Sequence, residues 1–120
     1  MWHVDAATLT GATLVSLGQP YSAFFSTDDV LAQAMERAAR RAGESFWRMP
    51  LIEELASQLK SDVADLKHVG DRYGGAISAA LFLREFVDQV PWIHCDIPGA
   101  VYGDRPAGVY PKGATGHAVL

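Results

Sequence analysis

The sequence predicts an α/β fold: a mixed, mostly parallel sheet with helices on both faces. Three observations lead there. Segments with apolar residues at helical spacing alternate with short apolar runs bounded by Gly and Pro, the pattern of strands joined through covering helices. Hydrophobic residues make up 49% of the 120 positions, with three Trp, four Tyr and five Phe, enough for one real core. One helical segment is apolar almost all round and needs partners on more than one side.

Taken in order, residues 4–7 and 12–17 read as buried strand pieces around a tight turn at Gly11, where glycine permits a backbone that other residues resist. Gly18 and Pro20 stop the second piece. A helix is expected from Ser26 or Thr27. Ser26 and Asp29 form a capping-box-like pair, and Asp28 and Asp29 suit the positive end of the helix dipole. Leu31, Met35, Ala38 and Ala42 share its apolar face, Arg40 and Arg41 sit in its last turn, and Gly43 follows as C-cap. A link through Phe46, Trp47, Arg48, Met49 and Pro50 leads to a second helix with Ile52, Leu55, Ala56 and Leu59 on one face. Residues 61–75, with Gly70, Gly74 and Gly75, read as loop. The third helix spans about 76–88 and contains the all-round apolar run, and Pro91 ends it. Residues 92–97 read as a buried strand broken by Pro98 and Gly99. The tail reads mostly as loop, with a short strand at 117–120. So few strands make a small sheet. It is expected to be completed by residues outside this chain or by another subunit.

Composition excludes several function classes. A net charge of -4 offers no basic field for phosphate, so no nucleic-acid partner is expected. No apolar run reaches membrane-spanning length, so no membrane partner is expected either. The single cysteine, Cys95, cannot form an internal disulfide, and the first residues lack the regions of a signal peptide. A soluble, reduced, cytoplasmic setting is the expectation.

Four segments carry candidate chemistry. Asp62, Asp65 and His68 recur every three residues and could crowd one face as metal ligands. The spacing matches no standard metal signature, and carboxylates capping backbone N–H groups of a loop explain it better. His94, Cys95 and Asp96 are consecutive on the last strand, where side chains alternate. Cys95 therefore points away from His94 and is a buried hydrophobe rather than half of a nucleophilic pair. Asp96, near the C-terminal end of the strand, either lines a site or bonds the following loop. The glycines around Arg72 could hold an anion at a helix start, or simply allow a sharp turn. Lys112-Gly113-Ala114-Thr115-Gly116 lacks the residue order of a phosphate loop and is rejected as one.

The order of segments adds what isolated residues do not. Ala7-Thr8-Leu9-Thr10-Gly11-Ala12 resembles the ATLTGA element of the leucyl aminopeptidase (cytosol aminopeptidase) family. Phe46-Trp47-Arg48-Met49-Pro50-Leu51 resembles its VWRMPL element, and Ser61-Asp62-Val63-Ala64-Asp65-Leu66-Lys67 its SDVADLK stretch. Residues 75–87 are similar to its GAITAALFLKEFV helix, residues 91–99 to PWAHLDIAG, and residues 111–116 to PKGATG. All six stand in family order over nearly the whole chain. The chain departs from the family at Pro98, where alanine is usual, at Ala100 in place of threonine, and at His68 in place of asparagine.

The resemblance implies that residues 1–120 are a partial copy of the leucyl aminopeptidase catalytic domain, its C-terminal portion, without the upstream metal-ligand segment and the final closing helix. It implies a metal-dependent aminopeptidase that releases N-terminal residues such as leucine from peptides. Two divalent ions, zinc, manganese or magnesium, would activate the attacking water. The family's NTDAEGR element and its other ligands lie upstream, so no catalytic and no metal-ligating residue is expected in this chain. What remains would be the substrate-pocket wall. Backbone groups around Thr8, Leu9 and Gly11 would hold the peptide main chain. Thr8, Gly11, Pro98 and Val101 would line the pocket for the first side chain, and Val69 the second. The expected partners are a peptide and either further copies of the chain, a hexamer in the family, or a complementing chain. The alternative is a non-catalytic structural or assembly module derived from the same fold.

Overall fold

The computed structural model describes residues 1–119. Four strands form the main sheet: β1 (His3–Ala7), β2 (Ser22–Ser26), β3 (Phe46–Arg48) and β4 (Trp92–Asp96), in the order β1-β4-β2-β3. β1 runs parallel to β4, β2 parallel to β3, and the central β4 and β2 are antiparallel. Two of three pairings are parallel, so the sheet is mixed and mostly parallel. Three α-helices, α1 (Gly11–Leu17), α2 (Asp29–Ala42) and α3 (Gly75–Arg84), and a 3-10 helix (Glu53–Leu59) surround it. β5 (Tyr102–Gly103) and β6 (Gly113–Ala114) make a separate antiparallel pair. No helix among the described residues is long and apolar enough to cross a membrane.

Strand alternation divides the core. Ala23 and Phe25 face one side, where Leu59, Ala76, Ile77, Ala80 and Leu81 from the 3-10 helix and α3 close over them. Phe24, Ile93, Cys95 and Ile97 face the other side, where Ala32 of α2 packs. Every residue of β2 and β4 is buried because both faces are covered. β1 lies at the sheet edge and stays largely exposed, with Val4 and Ala6 open to solvent.

Several expectations change. Residues 12–17 are not a strand but belong to α1. Thr10 is extended, and its hydroxyl accepts from Thr13 N, satisfying one of the orphan donors of a helix start; Gly18, at φ 75°, ends the turn. Glycine at 11 is therefore not there for a strained turn, since it starts α1 at an ordinary φ. β2 was not expected at all. The helix after it starts at Asp29 rather than Ser26, because Ser26 is buried in β2 with its hydroxyl 2.9 Å from the Trp92 carbonyl oxygen. Asp28 is the cap, its carboxylate accepting from Leu31 N at 2.7 Å. Asp28→Ala should lower stability by about 1 kcal/mol. A urea midpoint unchanged by that substitution would show that the cap contributes nothing.

The buried face of α2 centres on Ala32 and Ala39, with Leu31 and Met35 beside them, while Ala38 is exposed beside Val4 and Ala6. Gly43 closes the helix in the left-handed region, as expected. Residues 46–48 form a strand, not a link. The second helix keeps its predicted apolar face against α3 but is a 3-10 helix, with no side-chain cap at Ile52. The third helix is shorter than expected. After Arg84 the amides of Glu85, Phe86 and Val87 bond three residues back, and Asp88 turns to φ 57°. Residues 117–119 are not a strand, because Gly116 and Ala118 take positive φ. Leu120, the end of that expected strand, lies outside the described residues.

Candidate functional site

Because β1 and β4 are parallel, both end at the same sheet edge. Their pairing continues one step further, with Ile97 N donating to Ala7 O at 2.9 Å, and the chains then part. Segment 8–10 turns into α1, and segment 98–101 leads to β5. The carboxyl ends of parallel strands are where α/β folds build ligand sites, since loops rather than ladders start there.

One carboxylate organises this edge. Asp96, 1% exposed, accepts from Leu9 N at 2.9 Å and Thr10 N at 3.1 Å through Oδ1. Its Oδ2 accepts from the hydroxyls of Thr10 at 2.5 Å and Thr13 at 2.7 Å. Four donors on two oxygens fill the acceptor capacity that burial would otherwise leave unmet. Asp96 thus bonds the loop after β1, not the loop that follows its own strand.

A second tie lies two residues back on the same faces. The Asp5 carboxylate accepts from Trp92 Nε1 at 2.7 Å and His94 Nδ1 at 2.5 Å. Burial raises the Asp5 pKa, but the hydrogen bonds from His94 and Trp92 outweigh it and hold the carboxyl below its ordinary value. The His94 ring lies between the rings of Trp92 and Phe25, each 6.1 Å away, and its buried Nε2 has no partner among the described residues. Cys95 points to the opposite face, into the α2 side of the core, where burial pushes its thiol up to about 12. Burial there speaks against a nucleophilic role for it.

Of the six residues expected in the substrate wall, five stand on the segments that leave the sheet at this edge. Thr8, Leu9 and Gly11 are exposed on the segment after β1, and Pro98 is half-buried just after β4. Val101 is half-buried against the Phe24 and Ile93 core. Val69 stands apart, 57% exposed on the loop before α3. A Cβ on Gly11 would meet no atom of this chain within 4 Å, so nothing inside the chain requires glycine there. The clefts described elsewhere on the surface, of about 150 to 510 Å³, take none of their lining from these six residues.

The other candidates separate. Asp62, Asp65 and His68 are all exposed, and among the described residues no three His, Cys, Asp or Glu side chains converge as metal ligands. Gly70 is explained by packing, since a Cβ there would lie 2.4 Å from Gln58 Oε1 and 3.1 Å from Ser78 Cβ. Gly113 and Ala114 form β6. Sequence reasoning missed Asp5, Thr10 and Thr13. A signal existed for Thr13: a hydroxyl inside an apolar run needs a partner once buried.

Comparison with known proteins matches this geometry to a family. The profile of the cytosol aminopeptidase family, catalytic domain, matches residues 2–120. A probable cytosol aminopeptidase of Picosynechococcus sp. is 50% identical over 116 residues, covering 97% of this chain and 24% of that protein. A probable cytosol aminopeptidase of Chlamydia felis is 48% identical over 118 residues, again 97% of this chain and 24% of the relative. Among solved structures, a tomato leucine aminopeptidase mutant superposes with a TM-score of 0.91 at 44% identity, over 97% of this chain and 22% of that one. The bottromycin maturation enzyme BotP, solved in complex with Mn, superposes with a TM-score of 0.93 at 47% identity, over 97% of this chain and 26% of that one. The chain spans about a quarter of the length of the relatives it matches. With its mixed sheet, its helices and nearly all of its residues matched, the chain belongs to the cytosol aminopeptidase family and corresponds to part of that family's catalytic domain.

Proposed function

We propose that this chain supplies the substrate-binding wall of a metal-dependent aminopeptidase that releases N-terminal residues such as leucine from peptides. The observation that carries the reading is that segments 8–11 and 98–101 both leave the sheet at the carboxyl end of the parallel β1–β4 pair. Thr8, Gly11, Pro98 and Val101 supply one wall of the pocket for the first side chain, and Val69 contributes to the second. Leu9 N–H is occupied by Asp96, so Leu9 meets a peptide through its carbonyl, as an acceptor. Open space over Gly11 suits a close approach of the peptide backbone. Pro98 has no N–H and a fixed φ, which makes that side of the pocket rigid and purely apolar.

The chemistry of this reading belongs to two divalent ions, zinc, manganese or magnesium, which polarise a carbonyl and generate a nucleophile when bound. The donors described here do not fit such a pair. Both Asp96 oxygens are filled, His94 Nδ1 is spent on Asp5, and no three ligand side chains converge. On this reading the ions' ligands belong to residues of the working enzyme other than those described here, in the cytosol. No catalytic step is assigned to residues of this chain.

A non-catalytic assembly module is the second reading. It is favoured by the outer edge of β1, unpaired among the described residues and flanked by exposed Trp2 and Val4. Ligand binding separates the two. L-leucinamide titrated into the 15N-labelled chain should shift the amides of Thr8, Leu9, Gly11 and Val101, with a dissociation constant of about 1 mM or weaker. Glycinamide, lacking the side chain, should not. No response at these four amides would remove the pocket reading and leave the module.

A further inference from the structure

We infer that Asp96 is the positioning residue of this wall: its carboxylate decides whether segment 8–11 takes the shape that receives an apolar N-terminal side chain. The inference rests on the pocket reading above and goes beyond it to a residue that need not touch the substrate.

Segment 8–11 has no sheet ladder of its own. Among the described residues, every hydrogen bond from it to the sheet ends on Asp96. The partners are 86 and 87 positions apart in sequence, so nothing local replaces them. Asp96 itself sits on β4, a central strand buried on both faces, and is a fixed reference for a segment that is exposed. The same carboxylate reaches Thr13, the one fully buried residue of α1, and so ties the helix that segment 8–11 enters to the same point. The shape of the segment thus depends on one side chain, while α1 is held both by that side chain and by the packing of Ala12 and Leu17 against the core.

The two oxygens differ in what they need. Oδ1 receives backbone N–H groups, which cannot change role. Oδ2 receives hydroxyls, which can rotate to accept instead. Asparagine at 96 can therefore keep its oxygen toward Leu9 and Thr10 and turn its NH2 toward the threonine hydroxyls. Alanine leaves both amides and both hydroxyls without the acceptor.

The test uses the full chain, with L-leucinamide as probe and amide exchange as the second readout. In Asp96→Ala, exchange at Leu9 and Thr10 should rise about tenfold to a hundredfold, and leucinamide binding should weaken about tenfold or more. The Ile97 amide, bonded to Ala7 O, should keep its protection, which a general loss of structure would not allow. Asp96→Asn should bind within about threefold of the wild type, because the bonding pattern can be rebuilt. Should the alanine variant fail to fold, Asp96→Asn combined with Thr13→Val carries the test. It removes one hydroxyl acceptor and should weaken binding more than either single change. Equal binding and equal exchange in all variants, with a responsive wild type, would overturn the inference and leave the pocket reading standing. A wild type that does not respond to leucinamide would instead overturn the pocket reading, and the inference with it.

Discussion

Leucine 4-nitroanilide mixed with this 120-residue chain and manganese or zinc should be hydrolysed no faster than in buffer with the same metal. The expectation is large in magnitude, because enzymes of this kind of chemistry accelerate their reactions by about a millionfold or more. The physical reason is the fate of the donors. Peptide hydrolysis by paired cations needs several carboxylates or other ligands pointing into one space. Here the buried carboxylate best placed at the sheet edge, Asp96, carries four hydrogen bonds on its two oxygens. Asp5 is engaged by Trp92 and His94, and Asp62 and Asp65 lie exposed. Robust metal-dependent turnover by the purified chain, abolished by a chelator, would sink this account and require a site that these side chains do not form.

The second large effect is on stability. Trp92→Ala should destabilise the chain by about 3–5 kcal/mol. Trp92 is 1% exposed, starts the central β4, stacks near His94 and donates its indole N–H to Asp5. Removing it leaves a large cavity and takes from the Asp5 carboxylate one of the two hydrogen bonds that offset its burial. Domains of this size hold only about 5–15 kcal/mol in all, so the variant should be largely unfolded at modest urea. Trp47→Ala is the control. Trp47 is 59% exposed on β3, and its loss should cost within about 0.5 kcal/mol. Similar urea midpoints for the two variants would contradict the packing described here.

The elements that were legible in the sequence are those with local causes. Gly43 in the last turn of an amphipathic segment marks a C-cap whatever surrounds it, and the cap is where it was expected. The all-round apolar run became α3, with Ala76, Ile77, Ser78, Ala80 and Leu81 buried. The run 92–97 became the central strand. The misreadings involve segments whose state is set from afar. Residues 12–17 are apolar enough for a buried strand, yet Val15 is 89% exposed, and the capping hydroxyl of Thr10 made them a helix. β2 carries serines at both ends, and their partners lie far away in sequence. In the fold Ser22 meets His117, 95 positions away, and Ser26 meets the Trp92 carbonyl, 66 away.

The sequence by itself determined the family's motifs and their order, and through them it singled out Thr8, Leu9, Gly11, Val69, Pro98 and Val101 as the residues to test. Motif order is a property of the chain and needs no third dimension. Only the tertiary structure decided that segments about ninety residues apart leave the sheet together, and that Asp96 spends its acceptors on Leu9, Thr10 and Thr13. A carboxylate reads the same in a sequence whether it is free to ligate or already filled with donors. Which of the two it is depends on neighbours that parallel pairing of β1 and β4 brings within hydrogen-bond reach.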